Sequence, residues 1–515
     1  MNIFSQELAL YIISCLLGLG VSASLVALIL KVHRHYRWAS RKAELHHTHK
    51  VSVPRFGGIA LVTAFISVVM FLRAVLGPLF LQESGCWKIV AASLAMFGLG
   101  LWDDFRPLGA KRKLGAQLLI ASTAYFLGIG IHMFQIPFQH QIIDLGFWSW
   151  PVTVIWLVAM TNLINLIDGL DGLAGGICLM LMLLMAYVGF GTGGMSLISA
   201  GMVGALLGFL WFNFPPARIY MGDGGAYFLG FLIGGMTIVN SQKGTIFAAL
   251  IAPLFALALP ILDTTLAILR RGLRGLPLFR PDQRHIHHHL LGHGISRQKV
   301  VLGLYGFTAF FLLLGTVAFW WHGQHLAILL GAGILVVLLA AGKCSFSRNW
   351  FAIGRVLGNS LEERSEIQYA ICHSRWLALE GVRSQSVADL CEDLAFVARK
   401  VGYANVRIRL EDGEKTWQLA GVNGEDCHHY EHKLPGHRHC FLKLGAPCPP
   451  SREEKDRDLH KARFEILSEL LAEGWIKAMA TWEKQNRLPV RFDGRTAPAP
   501  EKLPMGIPRA QPATT

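Results

Sequence analysis

Four short polar segments of this 515-residue chain place carboxylates between long apolar runs. One of them, TNLINLIDGLDGLAGG (161–176), also carries two asparagines. The acids of the four segments are Asp103, Asp104, Asp168, Asp171, Asp223 and Asp282. An unpaired carboxylate in lipid is costly, and ionisable residues in membrane segments are usually functional. These acids are therefore the first candidates for chemistry.

The types of residue around these acids indicate chemistry on phosphate. Carboxylates suit Mg²⁺, which prefers oxygen ligands and keeps waters and substrate phosphates in its shell. Such an ion neutralises charge during phosphoryl transfer. The segment DDFRPLGAKRK adds cations beside an acid pair, and MGDGG surrounds Asp223 with glycines that allow a ligand to come close. The pattern predicts metal-assisted chemistry on a phosphate at a membrane surface.

Each segment also has a purely structural interpretation. An acid pair at a helix end is often a cap. Gly-Asp-Gly is commonly a turn, and a histidine run such as RHIHHHL (284–290) is often solvent-exposed or a fortuitous metal binder. The asparagines of 161–176 could satisfy backbone groups where a helix breaks. Only the coincidence of four segments on one face favours a shared site.

The composition indicates a polytopic α-helical membrane protein. Hydrophobic residues make up 53% of the chain and charged residues only 16%. The net charge of +14 is expected from cytoplasmic loops rather than from nucleic-acid binding. The nine cysteines show no paired framework and are expected to be reduced. The first apolar run, 8–30, is too long for a signal-peptide core and predicts a retained span.

About eleven transmembrane helices are predicted at roughly 20 apolar residues each. They lie near 7–30, 57–76, 86–102, 114–132, 149–166, 173–190, 197–213, 226–240, 246–269, 299–320 and 325–342. Lys and Arg concentrate in 31–55, 103–113 and 270–298. The positive-inside rule then places these loops, with 167–172 and 214–225, in the cytoplasm. The N-terminus is predicted outside and the C-terminus inside.

Three domains are predicted: a membrane domain at 1–343, a cytoplasmic α+β domain at 344–490, and a disordered tail at 491–515. NVRIRLEDGEKTWQL alternates apolar and charged residues and predicts a β-hairpin turning at Asp412–Gly413. Segments with helical periodicity precede and follow it. This order loosely resembles GAF or PAS sensory modules.

A histidine-rich stretch in the second domain raises the question of zinc. CHHYEHKLPGHRHC offers Cys427, His429, His437 and Cys440 as ligands. Their spacing fits no standard zinc pattern, so a polar loop is predicted instead.

The ordered motifs of residues 45–340 resemble the polyprenyl-phosphate N-acetylhexosamine-1-phosphate transferases. The matching segments are PRFGG (54–58), DDFRPLGAKRK (103–113), NLINLIDGLDGLAGG, NFPPARIYMGDGGAYFLG and RHIHHHL. The histidine motif is more similar to the branch that uses UDP-N-acetylglucosamine than to the branch that uses UDP-N-acetylmuramoyl-pentapeptide. Residues 345–515 are an extension that the resemblance does not cover.

The resemblance implies site roles for particular residues. Asp223 matches the Mg²⁺ ligand, with Mn²⁺ as a substitute and Asp103 as a second candidate ligand. The implied catalytic residues are Asp103, Asp104, Asp168, His287 and His288. The implied substrate-binding residues are Lys111, Lys113, Asn165, Asp171, Arg280 and His285.

The resemblance also implies the reaction. An N-acetylhexosamine-1-phosphate, with N-acetylglucosamine as the first expectation, passes from a UDP-sugar to undecaprenyl phosphate and releases UMP. The expected location is the cytoplasmic face of a bacterial inner membrane, without nucleic acid. A homodimer is compatible with this, and the partner or ligand of the second domain stays open, as does the downstream glycan.

Two other classes of function stay open at this point. A transporter would use the acids as cation sites near the bilayer midplane. A membrane-tethered sensor or scaffold would have 345–490 as its functional part. In both cases the transferase half would be inactive.

Overall fold

This computed structural model describes residues 3–36, 53–77, 80, 86–135, 142–190, 194–242, 257, 261, 268, 272, 296–320, 353–418, 427–433, 440–448, 454–486 and 490. The helices from Ile3 to Trp320 and the elements from Ile353 to Asn486 fall into two separate compact units.

The first unit is a bundle of apolar helices. Its helices are α1 (Ile3–Tyr36), α2 (Gly57–Leu76), α3 (Cys86–Phe105), α4 (Ala110–Phe126), α5 (Ser149–Ile167), α6 (Leu173–Val188), α7 (Gly194–Asn213), α8 (Gly222–Gln242) and α9 (Arg297–Trp320). A short antiparallel pair, β1 (Met133–Gln135) and β2 (Ile142–Asp144), lies between α4 and α5. Helix α8 packs against α2, α3, α5 and α6, so it is buried on nearly every side. A helix that is apolar all round belongs in such a core.

The prediction of a polytopic helical membrane protein is confirmed. Among the described residues, seven helices are long and apolar enough to cross a membrane, and α6 is a shorter apolar helix. The predicted span at 114–132 is too long, because α4 ends at Phe126 and the chain turns at Leu127–Gly128. Most of 246–269 and all of 325–342 lie outside the described residues. Eleven spans and their orientation therefore stay predictions.

Close helix packing in this unit depends on small residues. Helix α7 lies against α1 through Gly204 and Gly208, and Gly18 of α1 lies against the Gly201 carbonyl. A Cβ at Gly204 would overlap the Cys15 carbonyl, and one at Gly208 would lie 2.7 Å from the Leu19 carbonyl oxygen. Membrane helices associate largely by such packing, because lipid gives them no hydrophobic driving force to pair.

The second unit is an α+β domain. Helices α10 (Ile353–Arg383), α11 (Val387–Val401) and α12 (Glu454–Asn486) accompany four strands. The strands are β3 (Asn405–Leu410), β4 (Gly413–Gln418), β5 (Cys427–Lys433) and β6 (Phe441–Pro447), ordered β4-β3-β6-β5 and all antiparallel. One apolar core joins the sheet to the three helices. The GAF or PAS likeness stays a prediction.

The predicted hairpin is confirmed, with its turn one residue earlier than expected. Leu410 pairs with Gly413, so the two-residue loop is Glu411–Asp412 rather than Asp412–Gly413. The preceding helix α11 begins at a capping box formed by Ser386 and Asp389.

The first half of the histidine-rich stretch is a strand, so the predicted polar loop is wrong there. Residues 427–433 form β5, with His432 donating to or accepting from Ser468 on α12 at 3.0 Å. Cys427 pairs with Pro447, whereas Cys440 precedes the opposite end of the ladder. Six residues of strand separate them by about 20 Å, so these two thiols cannot share one metal ion. His437 lies outside the described residues.

Candidate active site

The predicted acids meet where five helices of the first unit end. Asp103 and Asp104 lie in the last turn of α3, and Asp223 lies in the first turn of α8 rather than in the preceding loop. Lys113 lies in the first turn of α4. The turn 168–172 joins α5 to α6. Tertiary packing thus gathers residues that are far apart in the sequence.

Lys113 joins two of the carboxylates. Its Nζ forms an ion pair with Asp103 Oδ2 and a second with Asp223 Oδ2 at 3.2 Å. Asp103 also accepts the Leu108 N–H at 2.6 Å. The Asp103 side chain is only 4% exposed, whereas those of Lys113 and Asp223 are 26% and 30% exposed. The cluster therefore has a buried side and an open side.

The Asp104 carboxylate, next to this cluster, accepts hydrogen bonds from backbone. Its Oδ1 accepts the Asp223 N–H at 3.0 Å, and its Oδ2 accepts the Gly224 N–H at 2.9 Å. These are N–H groups of the first turn of α8, which have no acceptor within their own helix. The two adjacent aspartates therefore have different partners.

The glycines of MGDGG lie against backbone atoms of neighbouring segments, whereas the sequence suggested that they allow a ligand to come close. Gly222 has φ +77°, and a Cβ there would meet the Arg55 carbonyl oxygen at 2.5 Å. A Cβ at Gly225 would lie 2.8 Å from the Gly58 Cα, and one at Gly100 would lie 2.6 Å from the Gly224 Cα. Helices α2 and α3 consequently approach the start of α8 at backbone distance.

The PRFGG segment is tied to the same place by backbone hydrogen bonds. Tyr220 N–H donates to the Pro54 carbonyl at 2.9 Å, and Gly57 N–H donates to the Tyr220 carbonyl at 2.9 Å. Gly58 N–H donates to the Met221 carbonyl at 2.8 Å. These hydrogen bonds hold the segment that directly precedes Asp223.

The two aspartates of the 168–172 turn also differ. Burial, together with the nearby charges of Asp223 and Asp104, raises the pKa of Asp168 well above its usual range. Asp171 instead accepts the Ala217 N–H at 3.1 Å and lies 3.9 Å from an Arg297 nitrogen. Its side chain is 9% exposed. Asp168 belongs to the acid cluster, whereas Asp171 fastens its turn to neighbouring elements.

Two residues that the sequence analysis missed hold the same turn. Gly172 N–H donates to Asn213 Oδ1 at 3.0 Å, and the Tyr305 hydroxyl donates to the Gly172 carbonyl at 2.5 Å. A Cβ at Gly176 would overlap the Tyr305 ring. The available clue was a polar side chain at each of these positions within a largely apolar helix.

A third missed residue lies one turn after Lys113. Gln117 is 1% exposed, and its Oε1 accepts from Asn162 Nδ2 at 2.8 Å, which links α4 to α5. Asn165 is half-buried one turn before Asp168. The predicted substrate-binding residue Lys111 is exposed in the first turn of α4. The remaining predicted site residues, Arg280, His285, His287 and His288, lie outside the described residues.

The acid cluster fits a hydrated magnesium ion better than an ion enclosed by protein. Within the described ranges, no group of three metal-ligating side chains comes together. Mg²⁺ usually takes one or two carboxylates and completes its shell with waters and substrate phosphates. Asp223, with its open side, and Asp103 supply such a donor set, and the Lys113 ammonium already lies between them.

Comparison with known proteins decides the family. A family model described as glycosyl transferase family 4 matches residues 86–241, which include every described acid of the cluster. Over 297 residues, 57% of its length, the chain is 35% identical to the probable undecaprenyl-phosphate N-acetylglucosaminyl 1-phosphate transferase of Bacillus subtilis (strain 168), of which it covers 80%. The chain belongs to the polyprenyl-phosphate hexosamine-1-phosphate transferases.

Other relatives agree with this assignment. The decaprenyl-phosphate N-acetylglucosaminephosphotransferase of Mycobacterium tuberculosis (strain ATCC 25618 / H37Rv) is 32% identical over 298 residues, 53% of this chain and 72% of that protein. The phospho-N-acetylmuramoyl-pentapeptide-transferase of Listeria monocytogenes serotype 4b (strain CLIP80459) is 30% identical over 278 residues, 50% of this chain and 82% of that protein.

As a hexosamine-1-phosphate transferase, the chain is an enzyme with a polyprenyl phosphate substrate in a membrane. The transporter alternative expects acids near the bilayer midplane, whereas the described acids lie at helix ends. The comparisons support neither this alternative nor the sensor.

Proposed function

We propose that this enzyme transfers N-acetylglucosamine-1-phosphate from UDP-N-acetylglucosamine to undecaprenyl phosphate in the presence of Mg²⁺, releasing UMP. The observation that carries the proposal is the Lys113 ammonium between Asp103 and Asp223 at the end of the bundle. The choice of sugar rests on the names of the Bacillus and Mycobacterium relatives, which specify N-acetylglucosamine.

The reaction exchanges one phosphorus–oxygen bond for another. An oxygen of the lipid phosphate forms a bond to the phosphorus attached to the sugar, and the bond from that phosphorus to the UMP oxygen breaks. A phosphate monoester has its second pKa near 6, so the attacking oxygen is already largely ionised at neutral pH. Strong base catalysis is therefore not required of Asp103.

The open side of the cluster supplies the charges that this reaction needs. Asp223, with Asp103 as a second candidate, would hold Mg²⁺, and the bound ion would neutralise charge on the diphosphate. Lys113 keeps positive charge beside the same oxygens, where two anionic substrates must approach each other. Asp168 and Asn165 would contact the nucleotide sugar, and His285, His287 and His288 the diphosphate.

Exposed aromatic residues support a site at the membrane surface. Trp102 and Phe105 flank the acid pair on α3 and are both largely exposed. Phe147 and Trp148 are exposed before α5, at the opposite end of that helix from Asp168. Trp is enriched at both membrane–water interfaces. The headgroup of a polyprenyl phosphate lies at that depth, and we place this end of the bundle at the cytoplasmic face of the inner membrane.

The test is UMP release by the purified full-length enzyme with undecaprenyl phosphate, a panel of UDP-sugars, and Mg²⁺, Mn²⁺ or EDTA. Release should require the lipid phosphate and a divalent ion, and should be fastest with UDP-N-acetylglucosamine. Asp223→Asn should abolish it. Asp144→Asn, which changes an acid of β2 outside the cluster, is the matched control and should retain activity. A faster reaction with another donor would refute the assignment of N-acetylglucosamine, and full activity in EDTA would refute the proposed requirement for a metal ion.

A further inference from the structure

The two adjacent aspartates at the end of α3 look equivalent in the sequence but have different surroundings. Asp103 faces Lys113, a side chain that reaches the open side of the site. Asp104 is half-buried and gives both carboxylate oxygens to the first turn of α8, at 3.0 and 2.9 Å. One of the donors is the backbone N–H of Asp223 itself.

Helix α8 receives this cap from another helix. Four N–H groups at a helix start lack intrahelical acceptors, and a negative charge there interacts favourably with the helix dipole. The acceptor comes from α3, which is 119 residues away from Asp223 in the sequence. The near contact of Gly100 with Gly224 brings the two backbones close enough for the carboxylate to reach.

The same carboxylate is enclosed by backbone on its other side. A Cβ at Gly222 would lie 2.8 Å from Asp104 Oδ2 and 3.2 Å from Oδ1. Gly222 therefore packs directly against both oxygens, which leaves that side closed to a hydrated ion or to a substrate.

We propose that Asp104 is a positioning residue, which caps α8 and thereby holds Asp223 beside Lys113, while Asp103 is the member of the pair that meets the Lys113 ammonium. This inference rests on the proposed function in one respect, the role of Asp223 towards Mg²⁺. It assigns Asp104 neither to the metal nor to proton transfer.

The experiment compares Asp104→Asn and Asp104→Ala with Asp103→Asn in the full-length enzyme. Asparagine keeps one acceptor oxygen for the α8 backbone but loses the charge, whereas alanine keeps neither. The readouts are kcat and KM for UDP-N-acetylglucosamine, the pH profile, the Mg²⁺ concentration for half activity, the melting temperature, and Mn²⁺ binding to the substrate-free protein by electron paramagnetic resonance.

For a positioning role, kcat of Asp104→Asn should fall about tenfold to hundredfold, the effect of weakening one charged hydrogen bond. Asp104→Ala should fall further, so that asparagine partly rescues activity. Mn²⁺ affinity should fall about tenfold to hundredfold in Asp104→Ala, as expected when the support of a metal ligand is lost, and should stay within about threefold of wild type in Asp104→Asn, which keeps an acceptor for the α8 backbone. The pH profile should keep both of its limbs.

Other results would overturn the inference. A loss of Mn²⁺ affinity in Asp104→Asn of more than about tenfold, with no rescue relative to Asp104→Ala, would make Asp104 a ligand, and loss of the acidic limb of the pH profile would make it a base. A lower melting temperature with unchanged kcat would reduce its role to stability. If the wild-type enzyme were active without any divalent ion, the proposed metal role would be refuted. The kcat values and the pH profiles of the Asp104 variants would still decide the role of Asp104. If Asp104→Ala fails to fold, Asp104→Asn carries the test alone.

Discussion

Replacing Lys113 by methionine should disable the enzyme, because this ammonium is the cation that joins Asp103 to Asp223. Methionine has similar length and good helix propensity, so α4 should still form. The change leaves two carboxylates from different helices without the charge that lies between them. It also removes positive charge from the place where two anionic substrates must meet.

The magnitude follows from the two ion pairs. At 3.2 Å, unit charges attract by about 5 kcal/mol at an effective dielectric constant near 20, as an upper bound before solvation is counted. Lys113 is 26% exposed, so water recovers part of this energy. A hydrogen bond to a charged group contributes about 1.5–3 kcal/mol, and two of them give roughly 3–4 kcal/mol after solvation. That loss corresponds to about a 10²- to 10³-fold fall in kcat/KM.

The assay is UMP release under saturating undecaprenyl phosphate, with kcat/KM measured for UDP-N-acetylglucosamine. Arg112→Met is the matched control, because it removes an exposed charge from the preceding position of the same helix turn. Its kcat/KM should stay within about threefold of wild type, as expected for a surface substitution. If Lys113→Met behaves like Arg112→Met while remaining folded, the ion-pair reasoning is wrong.

Three further predictions concern packing, the 168–172 turn and the second unit. Gly58→Ala should cost about 1–3 kcal/mol or more in stability, since its Cβ would lie 2.5 Å from the Gly225 backbone nitrogen. In the control variant Gly98→Ala, the new Cβ would meet no atom within 4 Å, so the melting temperature in detergent should not change. Tyr305→Phe removes the hydroxyl that holds the 168–172 turn and should lower kcat/KM several-fold, about 1 kcal/mol, with little change in melting temperature; unchanged kinetics would refute this role. Burial lowers the pKa of His432, so this imidazole binds a proton more readily in the unfolded chain than in the folded chain. The stability that neutral His432 contributes is therefore fully present above about pH 6.5 and is lost as the pH falls below that value. Hydrogen exchange of β5 in the full-length protein should therefore lose protection between pH 7 and 5 after correction for intrinsic rates, and His432→Gln should abolish that dependence.

Apolar run length and local periodicity sufficed to predict most of the architecture. A helix that must bury its apolar surface in lipid needs a run of that length, so α2, α5 and α7 lie close to their predicted positions. The β3–β4 hairpin was predictable for a similar reason, because alternation and a turn are local properties. The turn shifted by one residue because ladder pairing, rather than composition, sets the loop.

Local patterns were less reliable where the chain changes direction or pairs at long range. Helix α4 ends before its predicted boundary, since Gly128 adopts φ +95° and turns the chain. Residues 427–433 carry few strand-forming side chains, yet they form β5 because their backbone pairs with β6. Ladder hydrogen bonds to a distant strand leave no trace in local composition.

The sequence by itself determined that this chain is a membrane enzyme of a recognisable family, with its acids at helix ends. Only the tertiary structure shows which groups each acid contacts. Asp103 and Asp104 are chemically identical neighbours, but their partners differ, because one meets an ammonium and the other meets backbone N–H groups. Asp168 and Asp171 also differ in their surroundings, because Asp168 lies near the charges of Asp223 and Asp104, whereas Asp171 accepts the Ala217 N–H and lies beside Arg297. Backbone donors and acceptors are present at almost every position, so a sequence cannot reveal which of them a carboxylate will meet after folding.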